Sequence, residues 1–197
     1  AEQALEISET NFPDYYFRKY VSEKCDKDDN GSLSKAELES VTSINVSNTT
    51  NYKPIASLKG IEHFTKLQKL DFKNQTKVSA IDVSQNPELT SLDCSGTAIS
   101  ELDVSENPKL AWLYCSDTDI ASIDVSANTA LKQLSCHETN IAELDVSKNT
   151  ELTGLSASDT ALTSLNIENN TKLTSVSLKN TKIEYLDASK NPLITRI

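Results

Sequence analysis

Apolar residues recur along most of this chain in one arrangement: two leucines three apart, a small apolar position two further on, then a spaced isoleucine, leucine and valine. Leu89, Leu92, Cys94, Ile99, Leu102 and Val104 are followed by Leu110, Leu113, Cys115, Ile120, Ile123 and Val125. Leu131, Leu134, Cys136, Ile141, Leu144 and Val146 come next, each set 21 residues after the one before. A fixed period of this length predicts coils stacked into a solenoid, each burying its apolar set against its neighbours. Ile81, Leu102, Ile123, Leu144, Leu165 and Leu186 carry the period without a slip. Upstream, Ile55, Leu58, Ile61, Phe64, Leu67, Leu70 and Phe72 continue it through a longer connection, with one extra residue between Phe72 and Val78. Val41, Ile44 and Val46 read as the first strand, and the turn-rich stretch Ser47–Lys53 as a loop.

Polar positions repeat in step. Thr76, Thr97, Thr118, Thr139, Thr160 and Thr181 form one column, placed to satisfy backbone groups at the strand exit. Asn86, Asn107, Asn128, Asn149, Asn170 and Asn191 mark the second turn of each coil. Asp82, Asp103, Asp124, Asp145 and Asp187 make a column of carboxylates on one face, expected to be solvated and not to bind a cation.

The spacing L-x-x-L-x-C-x-x-T-x-I-x-x-L-D-V-S-x-N resembles the bacterial leucine-rich repeat, and the period with its cysteine resembles the short cysteine-type repeats of the internalin family. The resemblance implies an α/β leucine-rich-repeat solenoid, right-handed, with parallel strands on its concave face. It also implies a helical N-terminal cap. The boundaries expected are a cap over 1–40 and a solenoid of about seven coils over 41–197. Ile194 and Ile197 occupy the first two leucine positions of a further coil, so an end in mid-repeat is expected. Cys94, Cys115 and Cys136 fall at one repeat position, continued by Ala157 and Leu178. The position takes small to medium apolar groups, so a ladder of buried free thiols is expected. Side chains in parallel register do not readily reach the ~90° dihedral of a disulfide. Cys25 stands apart, and neither His63 nor His137 supplies a structural zinc spacing.

Before the repeats the pattern changes. Residues 1–10 are polar and read as a loose lead-in. A helix is expected from Phe12 to Lys24, with Pro13 in its first turn and Phe12, Tyr16, Phe17, Tyr20 and Val21 as its apolar stripe. That stripe would cover the open end of the first coil. Asp26–Glu37, DKDDNGSLSKAE, then satisfies the twelve-residue loop of an EF-hand. Asp26, Asp28 and Asn30 stand at positions 1, 3 and 5, and Gly31 at the sharp turn. Ser32 would give a backbone carbonyl, Ser34 would act at position 9, and Glu37 would close the shell. Hard oxygen donors at this spacing select Ca2+, with flanking helices expected before Asp26 and over Lys35–Ser40. The resemblance covers one hand only. Leu33, which at position 8 would meet a partner loop in a paired hand, is expected to pack within the cap, and the ion to be structural.

The chain has 197 residues and a formal charge of −10, with pI near 4.7. That balance excludes a binder that reads a nucleic-acid backbone. No stretch reaches the ~18 apolar residues of a membrane span, so no membrane insertion is expected. The chain begins at Ala1 and contains no Met, which fits a removed signal peptide and a secreted or cell-surface bacterial protein.

On the concave sheet of such a solenoid, Trp112 and Tyr114 flank Leu113 and share one face. Asp93 and Ser91 neighbour them on one side and Gln133 and Ser135 on the other, with Ser95, Ser116 and His137 beyond the cysteine column. Asp93, Trp112, Tyr114, Gln133 and His137 are the candidate ligand patch, for a protein or glycan partner of a monomeric adhesion-type module. Gly154, Ser156, Ser175 and Ser177 leave the rest of this face small, and a spacer segment of a larger surface protein is the competing reading. No nucleophile–base pair or paired carboxylates mark the chain as an enzyme.

Overall fold

The computed structural model describes residues 3–47, 52 and 54–196. The loop expected over Ser47–Lys53 lies mostly outside them, as does Ile197. Seven short strands, β3 (Ser43–Asn45), β4 (Lys69–Asp71), β5 (Ser91–Asp93), β6 (Trp112–Tyr114), β7 (Gln133–Ser135), β8 (Gly154–Ser156) and β9 (Ser175–Ser177), form one parallel sheet in sequence order. The register runs through the repeated leucine: Leu92 faces Leu113, which faces Leu134, then Leu155 and Val176. Ser175 is also bridged to Arg196, where the next coil begins.

One apolar core runs from Phe12 to Val176. Each coil adds the leucine, cysteine-position, isoleucine and valine side chains that its sequence pattern places inward, with Leu113, Cys115, Ile120 and Val125 at 0% exposure. The three stacked thiols are free. Burial pushes Cys94 and Cys136 up to about 12 and Cys115 well above its ordinary value. The native protein is therefore expected to leave these thiols unlabelled by an aromatic disulfide reagent at neutral pH and to expose them on unfolding. Rapid labelling of three thiols in the native state, or a Cys94–Cys115 disulfide by mass spectrometry, would contradict the ladder.

The polar columns hold the turns. Thr97, Thr118, Thr139 and Thr160 donate to the carbonyl three residues back, each at 2.7 Å. Thr76 does not join them: it is exposed, and the extra residue after Phe72 puts Gln75 in its place. The Gln75 amide, 1% exposed, donates to the Val46 and Tyr52 carbonyls and accepts from the Ile55 N–H at 3.0 Å. It thereby ties the longer connection to the first coil. Each buried Asn instead reaches back one coil; Asn128 Nδ2 donates to the Val104 and Asn107 carbonyls, both at 2.9 Å. Asp82, Asp103, Asp124, Asp145 and Asp187 accept from the N–H two residues on. The carboxylates are local turn locks, and Asn166 does the same work in the coil that lacks one.

The cap begins earlier than its composition suggests. Leu5–Glu6 forms strand β1, antiparallel to β2 (Ser32–Leu33) within the EF-like loop, so residues 3–10 are not a loose lead-in. Helix α1 (Tyr15–Lys24) starts three residues later than the expected Phe12. The cause is Asp14, whose carboxylate accepts from the Tyr16 and Phe17 N–H groups and fixes the N-cap there, leaving Pro13 outside the helix. The other Asp14 oxygen accepts from the Ala56 N–H at 2.8 Å, bolting the helix to the first connection. Phe17 and Val21 are fully buried, and the Phe12 ring lies 6.1 Å from Phe17 and 6.2 Å from Phe64, closing the first coil. Helix α2 (Lys35–Ser40) follows β2, six residues capped by Ser34.

Candidate functional site

Two places gather the residues singled out by sequence. The first is the loop between α1 and α2. Carboxylate oxygens of Asp26, Asp28 and Glu37 lie within 4.8 Å of one another. The chain is folded around them: Asp26 Oδ1 accepts from the Asn30 N–H at 3.2 Å and Oδ2 from the Gly31 N–H at 2.8 Å. Gly31 has φ of +80°, a left-handed turn that a side chain would strain. Asn30 Oδ1 accepts from the Ser32 N–H at 2.9 Å. Glu37 is held from both sides, Oε1 by the Lys27 N–H at 2.7 Å and Oε2 by the Ser34 N–H and hydroxyl at 2.9 and 2.8 Å. These bonds, led by that from Ser34, hold its carboxyl down to about 2, so it is ionised although only 7% exposed. Asp26 is as buried, while Asp28 and Asn30 face solvent. Two nearly buried carboxylates and an exposed third come together here, each offering hard oxygen. The residues fit a divalent cation that prefers oxygen.

Sequence reasoning missed the part played by residues 5–7. The Ile7 N–H donates to the Gly31 carbonyl at 3.0 Å, extending the β1–β2 pairing along the loop. Leu33 packs within the cap as expected, at 0% exposure, but against a strand. The alternation Leu5-Glu6-Ile7 was the available signal, too short to count as a strand alone.

The second place is the middle of the concave sheet. Trp112 and Tyr114 do share a face on β6; Trp112 is 37% exposed and Tyr114 half-buried. Trp112 sits between Ser91 and Gln133, and Tyr114 between Asp93 and Ser135. The Lys132 ammonium lies 5.9 Å from the Trp112 ring centroid, covering the ring on the side of the following coil. Toward the preceding coil its register partner is the small Ser91. Asp93 accepts from the Ser95 N–H and lies 3.9 Å from the Lys73 ammonium, so its charge is partly engaged. Gln133 folds over Gly154, its Nε2 donating to Thr153 Oγ1 at 2.8 Å. A Cβ at position 154 would meet Gln133 Oε1 at 2.1 Å, so the glycine makes room for that fold and is itself covered. Tyr114, Gln133, Ser135, Ser156, Ser177 and Arg196 border one shallow cavity of about 380 Å³.

His137 stands four residues past Gln133, beyond the strand's end, with Nδ1 3.4 Å from Glu138 Oε1. Ser116, expected on this face, is buried and hydrogen-bonds Ser135 at 2.9 Å.

Comparison with known proteins places this geometry. The family described as Endo-beta-N-acetylglucosaminidase EndoS LRR domain matches residues 12–161. The functional domain of InlJ from Listeria monocytogenes, described as including a cysteine ladder, is 27% identical with a TM-score of 0.73. The alignment covers all of this chain and 47% of that one, so the chain spans about half its length. Internalin C2 of Listeria monocytogenes superposes over 100% of this chain and 99% of its own, with a TM-score of 0.71 at 18% identity. A leucine-rich repeat protein of Leptospira interrogans covers 81% of the chain and 43% of its own, with a TM-score of 0.68 at 16% identity. No curated protein matches the sequence. The family match spans most of the repeats and the helix that caps them, and the chain belongs to the EndoS LRR domain family of leucine-rich repeat domains.

Proposed function

We propose that the chain is an adhesion-type protein-interaction module, secreted or on a bacterial cell surface, that grips a protein partner on its concave sheet. Its cap holds a structural calcium ion. The observation that carries the reading is Trp112: a large apolar side chain left exposed on a middle strand of the sheet, among neighbours that are mostly small or polar. Exposed Trp on a rigid platform is the usual anchor of an interface, because it buries a large area with little loss of side-chain freedom. The likeness to internalin domains supports the same reading, and none of the described helices is long and apolar enough to cross a membrane. Asp26, Asp28, Asn30, Ser34 and Glu37 side chains with the Ser32 carbonyl would hold the ion, which would pin α1 to α2.

Beyond Tyr114 the face is lined by Ser135, Ser156, Ser175 and Ser177, which is what a spacer segment would show. Trp112→Ala with Tyr114→Ala separates the two. The double variant is expected to keep the wild-type melting temperature within a few degrees and to lose about 2 kcal/mol or more of binding to the protein captured on a host-protein array. Wild-type binding confined to a glycan array would move the partner to the carbohydrate class. No binding at all, or equal binding by the folded double variant, would leave the solenoid a spacer.

A further inference from the structure

We propose that strand β1 and Ile7 are the missing half of the ion site: Leu5–Ile7 stands where a second loop stands in a paired hand, and it aims the Ser32 carbonyl at the ion. This rests on the calcium reading above. The EF-like loop is single, yet its residues Gly31, Ser32 and Leu33 are paired, because Leu5 faces Leu33 and Glu6 faces Ser32. The bond from the Ile7 N–H to the Gly31 carbonyl shows which positions are bonded across the pair. In an antiparallel ladder bonded and non-bonded positions alternate, so Gly31 and Leu33 turn toward β1 and Ser32 turns away from it. The Ser32 N–H confirms this, since it donates into the loop, to Asn30 Oδ1 at 2.9 Å. In an extended residue the N–H and C=O point to the same side, so the Ser32 carbonyl is directed to the side of the loop where the carboxylates converge. That carbonyl is the one main-chain donor the loop contributes.

The docked strand does this at low cost to the loop. Leu5 and Ile7 are half-buried against the core, so their packing holds three loop residues in ligating conformation before an ion arrives. A loop released from β1 must fix those residues on binding, which weakens affinity. Linkage makes the effect reciprocal: an ion that prefers the paired loop tightens the N-terminal strand by the same factor.

Calorimetric titration of the full chain with calcium chloride tests this on wild type, Ile7→Pro and Ile7→Val, alongside hydrogen exchange of residues 3–9 with calcium and with chelator. Ile7→Pro removes the donor to Gly31 and is expected to weaken calcium binding roughly tenfold or more, a typical coupling between linked sites. Ile7→Val should bind as wild type. Exchange at Ile7 is expected to slow on adding calcium by a comparable factor. A wild-type Kd in folded Ile7→Pro, or exchange at residues 3–9 indifferent to calcium in a wild type that binds it, overturns the coupling and leaves the ion site standing. A wild type that binds no calcium overturns both. If Ile7→Pro does not fold, wild-type exchange decides.

Discussion

Replacing Asn128 with alanine is expected to lower stability by about 2–4 kcal/mol in urea denaturation, although the residue touches no ligand. Its Nδ2 is the donor to two carbonyls of the preceding coil, Val104 and Asn107, at 2.9 Å each. Asn128 is 0% exposed, so both carbonyls would be left buried without a partner, at about 1–3 kcal/mol apiece. Part of the loss is offset. Among the described residues Asn128 Oδ1 has no hydrogen-bond partner, and alanine removes that buried acceptor. Asn128→Asp should cost more than Asn128→Ala, because an acceptor would then face two carbonyl oxygens across the same short distances. Asp124→Ala, four residues earlier on the exposed turn, removes a local bond from the Ser126 N–H and is expected to cost below ~1 kcal/mol. A cost for Asn128→Ala no larger than that of Asp124→Ala would show that solvent reaches the ladder and that the coils are not held through it.

The repeat made these roles legible and also set their limit. A side chain at a fixed position in five or six identical turns has the same neighbours each time, so its column could be read from spacing alone. Leu113, Cys115 and Asn128 are such residues. Where the period slips, the reading fails for the same reason. The extra residue after Phe72 moves Thr76 out of its column and Gln75 into it, and only the placement of the Val46, Tyr52 and Ile55 backbone groups around it shows why an amide is wanted there. The start of α1 turned on Asp14 having two uses, a cap and a bolt to Ala56, of which the second depends on a contact 42 residues away. The gathering of Asp26, Asp28 and Glu37 in one loop was legible because the three lie close in sequence. Its support by Leu5–Ile7 was not, since a strand of two residues is defined by what it pairs with. The aromatic pair followed from strand alternation, but the fold of Gln133 over Gly154 and the approach of Lys132 to Trp112 are side-chain choices that periodicity does not contain.

Calcium is expected to raise the melting temperature of the chain by about 5–10 °C when present at a hundredfold excess over its Kd. An ion that binds only the folded form stabilises by RT ln(1 + [L]/Kd), about 2.7 kcal/mol at that excess, and a chain of this size gains roughly 2–4 °C per kcal/mol. The variants must be chosen with the loop's own bonds in mind. Glu37 caps α2 through the Ser34 N–H and hydroxyl and also receives the Lys27 N–H, so Glu37→Ala lowers the melting temperature even in chelator. The sign of its pH dependence separates that role. A carboxyl held down to about 2 contributes stability that is complete above the ordinary glutamate range near ~4.3 and is lost as pH falls through about 2. Acid unfolding in chelator should therefore shift in Glu37→Ala. Asp28 is the cleaner probe of the ion, because it is exposed and its carboxylate enters none of the described hydrogen bonds, yet it lies in the same oxygen cluster. Asp28→Ala is expected to melt like wild type in chelator and to gain little or nothing when calcium is added. A wild type whose melting is the same in calcium and chelator, or an Asp28→Ala variant that responds as wild type does, would show that these carboxylates serve only to cap α2 and shape the turn.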